Sequence, residues 1–171
     1  MREFKSKSGF LSAVMLLYLI PSFTLRTVVG LVLVVSSLHR DVRSGELDTF
    51  LSLPYTRSDL YITALISTFI FTLFPVLLSS AVFLKGDVVR ISIFVLGYFG
   101  VVSILLSLGV ESVLIPFLIL FLDFLLGGWK GVNFYSMISP VHQRSSIWAF
   151  VFSVFLCVLG WFLFSKRRGV A

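Results

Sequence analysis

Long uncharged runs dominate the hydrophobic pattern of this chain. Leu60–Leu84, Ile91–Val110 and Ser145–Ser165 contain no Asp, Glu, Lys or Arg, and each is roughly 20 residues or longer. An α-helix rises about 1.5 Å per residue, so each run can cross a hydrocarbon layer about 30 Å thick. One buried helix of a soluble protein can be apolar all round, but several in one short chain favour the bilayer as solvent.

The apolar stretch Phe10–Leu38 is interrupted by Pro21 and Arg26. It forms either one kinked span or a tight hairpin of two spans. A single span would place Arg26 near the bilayer centre, at a cost of about 2.5 kcal/mol or more. The hairpin avoids that cost and is the favoured interpretation.

The distribution of basic residues also favours the hairpin. With six spans and both termini inside, the inner side holds most of the 14 Lys and Arg residues, as the positive-inside rule requires. With five spans the two sides are almost even. In the six-span topology the inner set is Arg2, Lys5, Lys7, Arg40, Arg43, Arg57, Lys166, Arg167 and Arg168, and the outer set is Arg26, Lys85, Arg90, Lys130 and Arg144.

The pattern therefore predicts an all-α, polytopic membrane helix bundle, with residues 1–171 forming a single transmembrane domain. A short cytoplasmic helix is expected at about 45–53, and an outer re-entrant or interfacial segment at about 130–144, which is too polar to cross. The six spans are expected at about 8–22, 26–41, 59–84, 90–110, 112–129 and 145–165.

Composition agrees with a membrane protein: 58% of residues are hydrophobic, 13% are charged, and the mean hydropathy is +1.05. The net charge of +6 would elsewhere suggest nucleic acid. Here the basic residues lie in short loops and tails between spans, so we expect contact with membrane lipid and no nucleic-acid partner. We expect a multi-pass protein of the cell membrane with both termini cytoplasmic. The only cysteine, Cys157, excludes an intrachain disulfide framework.

No enzymatic motif is present in the sequence. It contains no GxxxxGK[ST] phosphate loop, no HExxH and no GxSxG. The two histidines, His39 and His142, fall on opposite sides of the membrane in the expected topology. We therefore predict no catalytic residue, cofactor site or metal site in this chain.

Two acidic residues, Asp123 and Glu111, are candidate functional residues because of their positions. Asp123 lies about two thirds of the way along the fifth expected span, and Glu111 lies where two spans meet. Ionisable groups at membrane depth are costly and often functional, so both are candidates for a substrate path or proton relay. The alternative is that Glu111 is a solvated turn residue and Asp123 pairs with a polar neighbour.

Small residues mark one side of the fourth expected span at spacings of three and four. They are Gly97, Gly100, Ser103 and Ser107. Such a face allows close approach of another helix, either within the chain or from a second subunit.

The inner loop after the second expected span is built like a short amphipathic helix. Gly45 ends the preceding span, Pro54 ends the element, and Glu46 and Asp48 lie in the first turn, where the helix dipole favours acids. On one face lie Leu47, Phe50 and Leu51. An apolar face on such a helix either lies on lipid or docks in the groove of a partner, and the nearby acids argue against anionic lipid.

The same loop resembles the signature of permease subunits of type-2 ATP-binding-cassette (ABC) transporters. Arg43–Asp48 followed by Leu51–Asp59 is similar to the family's Ser-Gly-Thr-Leu-Glu run and its Leu-Pro-x-Ser-Arg continuation, with Glu46 in place of the usual threonine and Thr56 in place of the serine. Ser139-Pro140 with His142 resembles the family's outer Ser-Pro region. The basic end Lys166-Arg167-Arg168 resembles its carboxy terminus.

The resemblance implies a transmembrane half-pore whose inner loop is a coupling helix seated on a separate ATPase subunit, which would bind the ATP. It further implies a second permease chain, identical or related, and a role in export. The implied coupling residues are Gly45, Glu46, Leu47, Asp48, Phe50, Leu51, Pro54 and Arg57.

A non-transporting membrane scaffold or assembly protein is the alternative, because hydrophobic bundles with few charges are common in that class. Copurification with an ATPase discriminates between the two.

Overall fold

A computed structural model describes residues 17, 20, 22–43, 56–83, 88–110, 112–128 and 133–166. Within these residues the chain contains no strand, which confirms the expected all-α class for this part. The expected cytoplasmic helix at 45–53 and most of the first expected span lie outside the described residues.

The described part forms six helices connected by short turns and by the segments outside the description. Their bounds are α1 Phe23–Arg43, α2 Arg57–Phe83, α3 Val88–Ser107, α4 Leu114–Gly128, α5 Asn133–Ile138 and α6 Ser146–Lys166.

Among the described residues, three stretches are long and apolar enough to cross a membrane: Arg57–Ser79 of α2, the whole of α3 and the whole of α6. α1 and α4 contain shorter apolar stretches, Phe23–Leu38 and Leu114–Gly127. Length and composition thus support a membrane protein.

α1 begins at Phe23, earlier than the sequence pattern suggests, because Ser22 caps it. The Ser22 hydroxyl accepts a hydrogen bond from the Leu25 N–H at 3.5 Å, and the Ser22 carbonyl accepts one from the Arg26 N–H at 3.0 Å. Arg26, the first residue of the second expected span, therefore lies within the first turn of the helix. It is only 1% exposed, and it donates to the Ile20 carbonyl at 3.1 Å and to the Ser79 hydroxyl.

α3 forms the centre of the bundle and packs most extensively against α6. The two helices are parallel, since Gly97 faces Ser153, Gly100 faces Cys157, and Ser103 faces Gly160. The small-residue face of this helix, at Gly97, Gly100 and Ser103, is thus occupied within the chain.

Side-chain hydrogen bonds give the directions of the other helices. Arg26 bonds to Ser79, and the hydroxyl oxygens of Thr68 and Ser37 lie 2.9 Å apart, so α1 and α2 are antiparallel. Trp161 donates to Ser58 at 2.8 Å and Tyr61 donates to the Cys157 carbonyl at 2.7 Å, so α2 and α6 are antiparallel as well. The carboxyl ends of α1, α3 and α6 and the amino end of α2 consequently lie at one end of the bundle.

Several hydroxyl side chains of α2 face inward, whereas several of its large apolar side chains face outward. Thr68, Thr72 and Ser79 of α2 are buried, whereas Ile70 and Phe74 of the same helix are 60% and 56% exposed. The buried threonines donate to carbonyls of the preceding turn, which satisfies their hydroxyls without water. An apolar exterior of this kind is what lipid as the surrounding solvent requires.

Candidate functional site

Asp123 lies on α4 and is the acidic side chain that the structure buries, with 3% of its surface exposed. Its carboxylate accepts three hydroxyl hydrogen bonds. Tyr98 donates to Oδ2 at 2.9 Å, Tyr135 donates to Oδ1 at 2.8 Å, and Ser139 donates to Oδ1 at 2.6 Å. The donors come from α3, from α5 and from the turn after α5, so one carboxylate joins three parts of the chain. We call these residues, with His142, the Asp123 cluster.

The three donors explain how a carboxylate is tolerated at this depth. Removing a polar group from water without a partner costs a few kcal/mol, and more for a charged group, unless hydrogen bonds replace the lost hydration. An ionised carboxylate accepts only, and three hydroxyl donors supply that need. Burial, then the charge of Asp123 and the hydrogen bond to it, raise the pKa of Tyr135, so this phenol keeps its proton and remains a donor at neutral pH.

Ser139 is the residue that couples the backbone turn to the carboxylate. Its hydroxyl accepts hydrogen bonds from the N–H groups of Val141 at 3.1 Å and His142 at 3.2 Å, while its single proton goes to Asp123. One donor and two acceptor sites are all that a hydroxyl offers. Pro140, between them, has no N–H to satisfy, which suits the tight turn.

His142 packs against the same helix that carries Asp123. Its Nε2 lies 3.2 Å from the Asp123 carbonyl oxygen, and its ring meets Phe124 edge to face at 6.4 Å between centroids. The ring occupies the space beside Gly127: a Cβ on that residue would lie 1.8 Å from His142 Cδ2. Glycine at position 127 is therefore needed for the imidazole to lie where it does.

The turn after α5 is also fixed to α3. Gln143, at φ 45°, donates through Nε2 to the Arg90 carbonyl at 2.7 Å and to the Pro140 carbonyl. Pro140 packs on Gly97, where a Cβ would approach its Cγ to 2.8 Å. The turn is thereby held between α3 and α4.

The geometry of the cluster suits holding α3, α4 and α5 together better than it suits binding a metal or a small ligand. All three hydroxyls donate their protons to the Asp123 carboxylate. The described residues contain no group of three or more His, Cys, Asp or Glu side chains that could hold a metal ion. This geometry favours the reading in which Asp123 pairs with polar neighbours.

Most of the residues implied in ATPase coupling lie outside the described part of the chain, and so does Glu111. Arg57 is the exception and is the first residue of α2. Thr56 and Asp59 form a capping box around it. The Thr56 hydroxyl donates to Asp59 Oδ2 at 2.7 Å, and the Asp59 N–H donates to the Thr56 hydroxyl at 3.2 Å. The predicted site residues that the structure does not describe are Gly45, Glu46, Leu47, Asp48, Phe50, Leu51, Pro54 and Glu111.

Sequence reasoning did not identify Tyr98 as a member of the cluster. A signal was present, because Tyr98 carries a hydroxyl inside an otherwise apolar run, and a buried phenol usually finds a hydrogen-bond partner. The spacing gave no indication of which partner it would be.

Comparisons of this chain with protein-family models, with curated proteins and with solved structures produce no match.

Proposed function

We propose that this chain is the transmembrane permease subunit of an ABC exporter of the type-2 class. Six spans, with both termini on the cytoplasmic side of the cell membrane, form half of the substrate path. A separate ATPase subunit binds and hydrolyses ATP. A second permease chain completes the transport unit, and residues 45–54 form the helix that docks in the ATPase.

The observation that carries the proposal is the loop sequence from Arg43 to Asp59. It combines acids in a first helical turn, an apolar face and a terminating proline with the order of residues seen in the permease signature. The end of this loop is locally ordered by the capping box of Thr56 and Asp59, which starts α2 at Arg57.

The helix directions support the same assignment. The loop leaves α1 at Arg43 and enters α2 at Arg57, and both positions lie at the end of the bundle that also holds Lys166. Basic residues at Arg40, Arg43, Arg57 and Lys166 therefore collect at the loop end, as expected for a cytoplasmic face. A loop at this face is accessible to a soluble ATPase.

Replacing Phe50 with Asp tests the proposal. A hydrophobic anchor in a partner's groove commonly contributes about 2 kcal/mol or more, roughly a thirtyfold change in affinity, and an unpaired buried carboxylate adds a desolvation cost. Phe50→Asp should therefore reduce copurification of the ATPase and abolish transport while the chain still inserts in the membrane.

Asp48→Ala, which changes the polar side of the same short helix, is the matched control and should have much less effect. Both variants are expressed at equal levels and compared for ATPase association and for transport or substrate resistance. If Phe50→Asp retained full association and transport, the coupling assignment would fail. A chain that copurifies with no ATPase at all would instead support the scaffold function.

A further inference from the structure

The segment between α4 and α6, residues 133–145, is held in part by polar contacts that converge on one side chain. We call it the α5 segment. α5 itself is six residues long, too short to be stable by its own helical hydrogen bonds. Two of the three hydroxyl donors to the Asp123 carboxylate, Tyr135 and Ser139, belong to this segment. Phe134, by contrast, is 76% exposed and adds little to its attachment.

The same carboxylate also joins α4 to the bundle core. α4 packs chiefly on α5 and only lightly on α1, whereas the extensive packing of the bundle is between α3 and α6. The hydrogen bond from Tyr98 to Asp123 is a direct link from α3 to α4. Asp123 thus stands where α3, α4 and the α5 segment meet.

We infer that Asp123 is the positioning residue that docks the α5 segment against α3 and α4, and that the segment is released as a unit when this carboxylate is removed. The remaining attachments are the packing of α5 on α6, Val141 in the hydrophobic core, the ring of His142 on Gly127, Pro140 on Gly97, and the Gln143 side chain on the Arg90 carbonyl. Without their acceptor, the hydroxyls of Tyr98 and Ser139 would be buried unsatisfied and the half-buried Tyr135 would lose its partner, which favours an arrangement that exposes them to water. The close contacts of the α3 to α6 interface, which are Gly97 on Ser153, Gly100 on Cys157 and Gly160 on Ser103, include no member of the cluster, so this interface remains closed. This inference goes beyond the transport proposal and does not depend on it.

Thiol labelling of the full chain in permeabilised membranes tests the inference, because both faces are then open to reagent. Cys157 is replaced by alanine to remove the native thiol. Ser136→Cys, at a site that is 2% exposed, reports on the α5 segment, and Ser103→Cys, at a fully buried site in the α3 to α6 interface, reports on the bundle core. The rate of reaction with a water-soluble maleimide measures how often each site opens.

We expect Asp123→Ala to raise the labelling rate at the Ser136→Cys site about tenfold or more, equivalent to ~1.4 kcal/mol of lost docking energy, with no change at the Ser103→Cys site. Asp123→Asn should raise it less, because its carbonyl oxygen still accepts from Tyr135 and Ser139. Thr72→Val is the matched control: it removes a fully buried hydroxyl of α2 that donates to the Thr68 carbonyl of its own helix, and it should leave both rates unchanged.

A double variant, Tyr135→Phe with Ser139→Ala, keeps the carboxylate and its hydrogen bond from Tyr98. If Asp123→Ala opens both reporter sites, this variant distinguishes loss of docking of the α5 segment from general loss of folding. It should raise the rate at the Ser136→Cys site alone. The inference is overturned if neither Asp123→Ala nor the double variant changes that rate. It is equally overturned if the double variant exposes both sites in parallel, because the cluster would then support general folding instead of docking this segment.

Discussion

Replacing Gly100 with alanine perturbs the closest approach between two helices of the bundle. A Cβ built at Gly100 lies 2.4 Å from the carbonyl carbon of Leu156 and 2.6 Å from the backbone nitrogen of Cys157. Ordinary contacts of a Cβ lie at 3.4–4 Å. The opposing atoms are helix backbone, so no side-chain rotation can relieve the overlap. α3 and α6 must move apart by about 1 Å or more along this contact.

The expected loss of stability depends on which contacts weaken when α3 and α6 move apart. Small-to-large changes in a packed interior cost about 1–3 kcal/mol, and we expect the upper half of that range because backbone atoms must move. Gly160 meets the Gly100 carbonyl, and Gly97 meets Ser153, so the neighbouring contacts of the same interface loosen together. A loss of about 2–3 kcal/mol corresponds to a fall in melting temperature of roughly 5–10 °C for a chain of this size.

Thermal unfolding of the purified protein in detergent, followed by the loss of monodisperse material, measures the effect. Gly127→Ala is the matched control, because the atoms that its Cβ would meet belong to the His142 side chain, which can rotate. We expect that variant to lose about 1 kcal/mol, the scale of one hydrogen bond and a ring contact. A Gly100→Ala protein with the melting temperature of the wild type would refute the close helix packing described for α3 and α6.

Two further substitutions test other parts of the structure. Thr56→Val removes the hydroxyl of the capping box at the start of α2 and should lower stability by about 1 kcal/mol, measured by the same thermal assay; a variant as stable as wild type would contradict the cap. Ile70→Asp places a charge on an outward position of α2 that is 60% exposed, at a cost of about 2.5–3.5 kcal/mol if lipid surrounds it. Its membrane-integrated fraction after alkaline extraction should fall well below that of Ile70→Val, and equal fractions would contradict a lipid-facing helix.

The long helices are the part of the fold that the sequence pattern predicts well. α2, α3, α4 and α6 begin and end within one helical turn of the bounds expected from charge placement and apolar length. Uncharged runs indicate helices because a backbone in hydrocarbon must satisfy its hydrogen bonds locally. The exact ends depend on caps, and the Thr-x-x-Asp pattern at Thr56 was a readable signal for a start at Arg57.

Arg26 shows where charge counting is less informative than geometry. Counting assigns it to the outer side, as the first residue of the second expected span. In the structure it lies inside α1, 1% exposed, and reaches the Ser79 hydroxyl on α2. A guanidinium presents five donors on a long side chain, so it can be buried wherever hydroxyls and carbonyls from other segments converge. That convergence is a property of helix packing, which the order of residues along one helix does not reveal.

The Asp123 cluster is also a product of helix packing. Its members lie at positions 98, 123, 135, 139 and 142, with no periodicity that relates them, because they come from α3, α4, α5 and a turn. The sequence identifies Asp123 as costly in hydrocarbon and therefore in need of partners, but it leaves two outcomes open: donors from substrate or water along a path, or donors from the protein. The choice depends on whether the segment after α4 folds back onto that helix. Gly127 permits this by leaving space for the His142 ring, and Ser139 completes it by turning its single proton toward the carboxylate. A glycine near a helix end and a serine in a turn are both common, and the importance of these two follows only from the contacts between α4 and the turn after α5.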